Sequence, residues 1–310
     1  MENEHQLNAP WLIAAWPGMG AVAISAGYYL LAKLGMHLLA EFPASEFFDL
    51  ERVDVKDGLI VTGILPRSRL FLWQDPARLH DLIVFIGEAQ PPAKGAAFCA
   101  KLVSFAQRLR VQRVFTFAAM ATQMRPEHES RVFGAAIERD TLAEFRRHDL
   151  EILDDAQISG LNGVLLGVAA DSGMRGGCLL GEMPHVFSQF PFPKASLAVL
   201  KAFSAMASVP VDFKELQLQS RQVEKGLEDF LHRLEHSVGP PEAAPLEADE
   251  AESEQRSGRL GSSDQQRLEE LFAAARQDRS RAYELKQELD RLKAFQEYED
   301  RFLDLFKKPE

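Results

Sequence analysis

The sequence predicts an α/β fold, with a mostly parallel or mixed sheet flanked by helices and a helical extension at the end of the chain. Three observations carry this. Strand-length and helix-length apolar runs alternate through the first three quarters of the chain. Several strand-length runs are apolar without a break, as strands covered on both faces are. Near residue 237 the composition changes abruptly, and a stretch of high helix propensity follows.

Residues 12–15 read as a strand, residues 21–35 as a helix closed by a glycine, and residues 37–42 as a second extended stretch. Residues 57–63 and 69–73 read as short strands on either side of a turn at Pro66. Residues 81–87 form a continuous apolar strand that stops at Glu88-Ala89-Gln90-Pro91-Pro92, and a helix over 93–109 follows. Residues 114–119 repeat the buried-strand pattern and close in a polar segment, 122–126. Residues 133–136 and 151–153 read as extended, with a helix over 140–148 between them. Gly160-Leu161-Asn162-Gly163 then turns into a short helix through Gly167. Residues 178–182 are the next strand, and residues 193–206 the next helix, with Pro193 suited to its first turn.

These elements make one α/β domain over residues 1–237. Residues 238–262 are rich in Pro, Ala, Glu, Ser and Gly and poor in large apolar side chains, so they read as an acidic flexible linker. Residues 263–310 read as an amphipathic helical segment with no glycine and no proline before Pro309. Leu285, Leu289, Leu292, Phe302, Leu305 and Phe306 recur at spacings of three and four or their sums, an apolar stripe expected to drive self-association as a coiled coil or to dock the helix on a partner.

At 310 residues and 46% hydrophobic, the chain is large enough to bury a substantial core. Its formal net charge of -11 repels phosphate backbones and anionic lipid, which argues against nucleic acid or a membrane surface as partner. Cys99 and Cys178 stand far apart, form no CxxC pair and fit a reducing cytoplasm. The start Met1-Glu2-Asn3-Glu4-His5 is acidic, unlike an export signal. Residues 11–32 carry no charge, but Pro17-Gly18-Met19-Gly20 splits them into pieces too short to span a bilayer.

Gly18-Met19-Gly20-Ala21-Val22-Ala23 satisfies a loose G-x-G-x-x-A pattern after a strand, with Glu41 about twenty residues on, as in dinucleotide-binding folds. Against this, Trp16-Pro17 stands between strand and glycines, and Pro17 removes a backbone donor where phosphate would need one. The glycines therefore read as a sharp strand-to-helix turn. Ligand crevices of open α/β sheets lie beyond the carboxyl ends of the strands. That places Trp16, Gly18, Gly20, Glu88, Gln90, Asn162 and Glu182 as cleft or ligand-binding candidates, with Gln123 nearby. His185, three residues after Glu182, is the one histidine to add. No G-x-S-x-G elbow, P-loop ending or H-E-x-x-H is present, so no catalytic residue, metal ligand or cofactor is expected.

Taken together, Trp16-Pro17-Gly18-Met19-Gly20, Glu88-Ala89-Gln90-Pro91, Gly160-Leu161-Asn162-Gly163 and Leu179-Leu180-Gly181-Glu182-Met183-Pro184-His185 resemble, in order and spacing, the proteasome assembly chaperone 2 family. The resemblance covers about residues 8–236. It implies a phosphorylase/hydrolase-like core and a non-enzymatic, assembly-chaperone-like protein that binds protein partners, is a homo-oligomer and takes no cofactor. The alternative it leaves is a small-molecule binder, or an enzyme of nucleoside phosphorylase-like or ATP-dependent carboligase type, using the strand-end cleft. Relatives that dock on proteasome rings end in hydrophobic-Tyr-any residue, whereas Phe306-Lys307-Lys308-Pro309-Glu310 departs from that pattern. The departure argues against direct docking by this end and for a different client or for self-association.

Overall fold

A computed structural model describes residues 7–50, 53–56, 58–63, 65–236 and 260–307. The chain separates into two compact units, Met1–Glu224 and Lys225–Glu310.

The first unit is built on an eight-stranded mixed sheet. Its strands are β1 (Trp11–Ala15), β2 (His37–Glu41), β5 (Ser68–Trp73), β6 (Leu82–Gly87), β7 (Arg113–Thr122), β8 (Val132–Ala136), β9 (Glu151–Ile152) and β10 (Arg175–Pro184). β3 (Val53–Lys56) and β4 (Leu59–Thr62) form a separate two-stranded hairpin. The order across the sheet is β2-β5-β6-β1-β7-β10-β8-β9. The four central strands β6, β1, β7 and β10 run parallel, while β5 and β8 flank them antiparallel. The central strands are also the uninterrupted apolar ones, since a parallel strand between two helical layers has no wet face to alternate toward.

Helices α1 (Val22–Lys33) and α5 (Pro193–Ala207) pack together, as do α2 (Gly95–Arg108) and α4 (Gly160–Asp171). The short α3 (Arg139–Arg147) lies against β8 and β9. An aromatic cluster fills part of the core: Trp16 stands 5.3 Å from Phe85 and 6.4 Å from Phe98, and Phe42 packs edge-on to both phenylalanines.

Some elements differ from expectation. β7 and β10 extend to ten residues each, because the Thr122 and Pro184 ends stay in register as a pair. Leu59–Thr62 is a strand, but its partner is Val53–Lys56 rather than the strand beyond Pro66. Helix α6 (Lys214–His236) has no counterpart among the sequence expectations, although Leu216, Val223, Leu227 and Leu231 carry a helical spacing.

In the second unit, the helical segment expected as one amphipathic run is three helices: α7 (Ser262–Gln277), α8 (Ala282–Arg291) and α9 (Phe295–Asp304). The breaks have local causes. The Asp278 carboxylate accepts from the Ser280 amide and restarts the chain as a new helix, while Lys293 takes a left-handed φ of 54° after α8. Leu285, Leu289, Phe302, Leu305 and Phe306 are buried, with Phe302 packed 5.5 Å from Phe295 and 5.6 Å from Phe306. Leu292 closes α8 at the turn. Most of the expected linker, residues 238–259, lies outside the described residues. Among the described residues no helix is long and apolar enough to cross a membrane.

Candidate functional site

The carboxyl ends of β6, β1, β7 and β10 lie side by side, and the loops leaving them hold most of the candidate residues. Three groups of contacts form there.

The first joins the β1–α1 turn to β6 and α4. Gln90 donates through Nε2 to the Pro17 carbonyl at 3.1 Å, and its Oε1 accepts the Leu161 amide at 3.0 Å. One side chain thus ties two loops together and occupies an N-terminal amide of α4, a position where an anion would otherwise sit. The glycine turn is tied down as well. The Gly20 amide donates to the Ser188 carbonyl at 2.9 Å, the Ala21 amide to Gly18 at 2.9 Å, and Gly20 accepts from the Phe192 amide at 2.9 Å. Gly20 sits at φ 61°, and a Cβ there would stand 2.5 Å from Met183 Sδ. Amides that a dinucleotide pyrophosphate would need are therefore spent on the chain itself. Trp16 is buried in the aromatic cluster rather than lining an opening.

Gly163 lets α4 begin close to the preceding chain: a Cβ there would fall 1.9 Å from the Ile158 carbonyl oxygen. Next to it, the Asn162 carbonyl accepts Thr116 Oγ1 at 3.4 Å, whereas Asn162 Oδ1 is buried without a hydrogen-bond partner.

The second group is an ion-pair chain at the end of β6. Glu88 accepts the Arg67 amide at 2.7 Å and Arg69 Nη1 at 2.9 Å, and Arg67 in turn bonds Glu41. Arg69 is 1% exposed inside an apolar strand, so Glu88 neutralises a buried cation. Glu41, a candidate ribose partner by spacing, is held by the same arginines.

The third group closes β7 and β10. Glu182 is 2% exposed and receives Arg131 Nε at 2.7 Å, Arg131 Nη2 at 2.6 Å and Thr122 Oγ1 at 2.7 Å. Arg131 also reaches Glu151 at 2.9 Å. The Arg131 guanidinium fork, helped by Thr122 and outweighing the cost of burial, holds the Glu182 carboxyl below its ordinary pKa. A carboxylate so held is ionised at neutral pH and is not poised to deliver a proton. Beside it lies an open depression of about 410 Å³ lined by Thr122, Gln123, Met124, His128, Glu129, Arg131 and Glu182. His185 is exposed in the turn after β10, where its carbonyl accepts the Ser188 amide at 3.2 Å.

Cys99 and Cys178 are free and buried, and burial pushes both thiols up to about 12. Neither is a ready nucleophile. Among the described residues no cluster of three or more His, Cys, Asp or Glu side chains is arranged to hold a metal ion.

The structure brings Gln90, Gly18, Gly20 and the Gly160–Asn162 turn into one linked group, and sets Glu88 and Glu182 in two others. Sequence reasoning named the acids but missed their cations, Arg67, Arg69 and Arg131. The one available signal was an arginine within an otherwise apolar strand, Arg69; Arg131 and Glu182 are 51 residues apart with no pattern to join them.

A family model described as PAC2 family matches residues 12–231. An uncharacterised protein of Methanocaldococcus jannaschii is 25% identical over 232 residues, covering 72% of this chain and 82% of that protein. Among solved structures, the archaeal proteasome activator PbaB of Pyrococcus furiosus is 23% identical, with a TM-score of 0.61 over 74% of this chain and 94% of that one. A proteasome-assembly chaperone homologue of Mycobacterium tuberculosis is 21% identical, with a TM-score of 0.61 over 74% and 96%. A PAC2 family protein of Streptomyces avermitilis is 24% identical, with a TM-score of 0.61 over 71% and 95%. The structural likenesses show a shared fold.

Proposed function

The chain belongs to the PAC2 family, and on that premise we propose that it is a non-catalytic, assembly-chaperone-like protein that works in the cytoplasm, as a homo-oligomer, by binding a protein client. The observation that carries this reading is the state of the strand ends. Gln90, Glu88 and Glu182, the polar groups best placed for chemistry, each have their hydrogen-bonding atoms engaged by neighbouring loops. They brace the fold at the position where enzymes of this architecture keep free groups. Two structural relatives, an archaeal proteasome activator and a proteasome-assembly chaperone homologue, lend support by analogy. Deeply buried thiols are at ease in a reducing compartment.

The test is quantitative affinity purification of the full chain from its native host, followed by reconstitution with the purified candidate client. A stoichiometric complex with one client, formed without added nucleotide, is expected. Saturable phosphorolysis of a nucleoside by the purified protein, abolished by Glu182→Gln, would overturn the reading.

A second reading, a metabolite-binding protein, is favoured by the unpartnered Asn162 Oδ1 and by the depression beside Glu182. It requires a ligand that stabilises the chain in proportion to its occupancy.

A further inference from the structure

The hairpin β3–β4 is separate from the main sheet, and a two-stranded sheet alone is marginal in water. Its residues leave large apolar side chains in solvent: Val53 is 49% exposed, Val55 68%, Leu59 71%, Ile60 75% and Val61 41%. Val55 stands opposite Ile60, and Val53 opposite Thr62, so Val53, Val55 and Ile60 share one face. Among the described residues no strand covers either outer edge of the hairpin.

We propose that the outer edge of β3 is a self-association surface, pairing antiparallel with β3 of a second copy of this chain about a two-fold axis through Val55. This deepens the homo-oligomer part of the proposed function and rests on it. Two residues separate Lys56 from Leu59, which makes these the hydrogen-bonded pair flanking a tight turn, with Gly58 at φ 80°. Hydrogen-bonded and non-bonded pairs alternate along the hairpin, so Val55 turns its N–H and C=O away from β4 to the open edge. There it matches itself. Val55 pairs with Val55 of the second copy, and the row Ile60, Val55, Val55, Ile60 runs unbroken across a four-stranded sheet.

Charge selects this occupant over an unrelated strand. In the sequence Val53-Asp54-Val55-Lys56 the acid and the base flank Val55. Antiparallel pairing about Val55 sets position 54 of each copy opposite position 56 of the other, acid against base twice. Protected edges carry charges that repel a second copy, whereas this pattern is complementary to itself. The other edge, β4, carries no charge and so has nothing to select a partner.

Cysteine cross-linking on the full chain tests the register. Val55→Cys places two thiols across the axis at about 5.5 Å between Cα atoms, within disulfide range, whereas Ile60→Cys leaves them three strand spacings apart, about 14 Å. The native Cys99 and Cys178 are buried, which keeps the background low. Mild oxidation is expected to convert most Val55→Cys protein to a covalent dimer, at least about ten-fold more than Ile60→Cys. Equal linkage at both positions, or linkage at Ile60→Cys alone, overturns the proposal. A second measurement is independent of added thiols. Val55→Pro removes the edge N–H and is expected to lower the sedimenting mass, whereas Ile60→Pro is not. An oligomer that forms without Val55 linkage defeats this surface alone; a chain monomeric at every concentration defeats the homo-oligomer reading as well.

Discussion

Glu182 is a buried carboxylate, held by the fork of Arg131 and the hydroxyl of Thr122. Because its pKa is lowered in the fold, it contributes stability that is present above the unfolded carboxylate value and lost as pH falls through the folded one. Arg131→Met removes the main cause of that depression. The variant is expected to melt several degrees below the parent at pH 7, with the gap closing as pH falls below the ordinary carboxylate range of about 4. Thermal melts from pH 3 to pH 7 check this; a constant gap would show the ion pair to be irrelevant. The glycines give a second contrast. Gly163→Ala forces a Cβ to 1.9 Å from a carbonyl oxygen and is expected to cost on the order of 2–4 kcal/mol. Gly18→Ala meets open space in an extended backbone and is expected to stay within about 0.5 kcal/mol of the parent. Chemical denaturation of both variants decides. A large Gly18 effect would mean that this turn carries a constraint the fold does not explain.

At the scale of elements, the strands β1, β6, β7 and β10 were legible because a strand covered on both faces reads as an unbroken apolar run. The tail was less legible. A sequence with neither glycine nor proline between residues 262 and 307 reads as one helix, yet Asp278 caps a new start and Lys293 adopts a left-handed conformation to reverse the chain. The apolar stripe then packs within the helical unit: Arg301 lies over the Phe272 ring at 3.9 Å, and Phe302 contacts Phe295 and Phe306. Phe302→Ala is expected to destabilise these helices by about 3 kcal/mol, read as a lower midpoint for loss of helical circular dichroism. An unchanged midpoint would contradict the packing. Self-association through this unit, which its stripe suggests, is read by sedimentation of the same variant: a smaller species is expected, and an unchanged one counts against it.

Across the whole molecule, the alternation of strands and helices gave the fold class directly, and the ordered motifs gave the family. The candidate site was legible only in part. Acids and glutamines at strand ends are visible in a sequence, but the groups that engage them arrive from distant positions, such as Arg131 for Glu182 and the Leu161 amide for Gln90. What looked like free functional groups became braces once those partners were in place. If this chain acts by binding proteins, as we propose, its strand ends serve the fold and leave no site for a nucleotide. The most direct measurement is the melting temperature of the full chain against a concentration series of nucleosides, nucleotides and dinucleotides. A midpoint unchanged within about 1 °C is expected, since occupancy at a hundred times the dissociation constant would add about 2.7 kcal/mol and move it visibly. A saturable rise of several degrees that Asn162→Ala abolishes would contradict it.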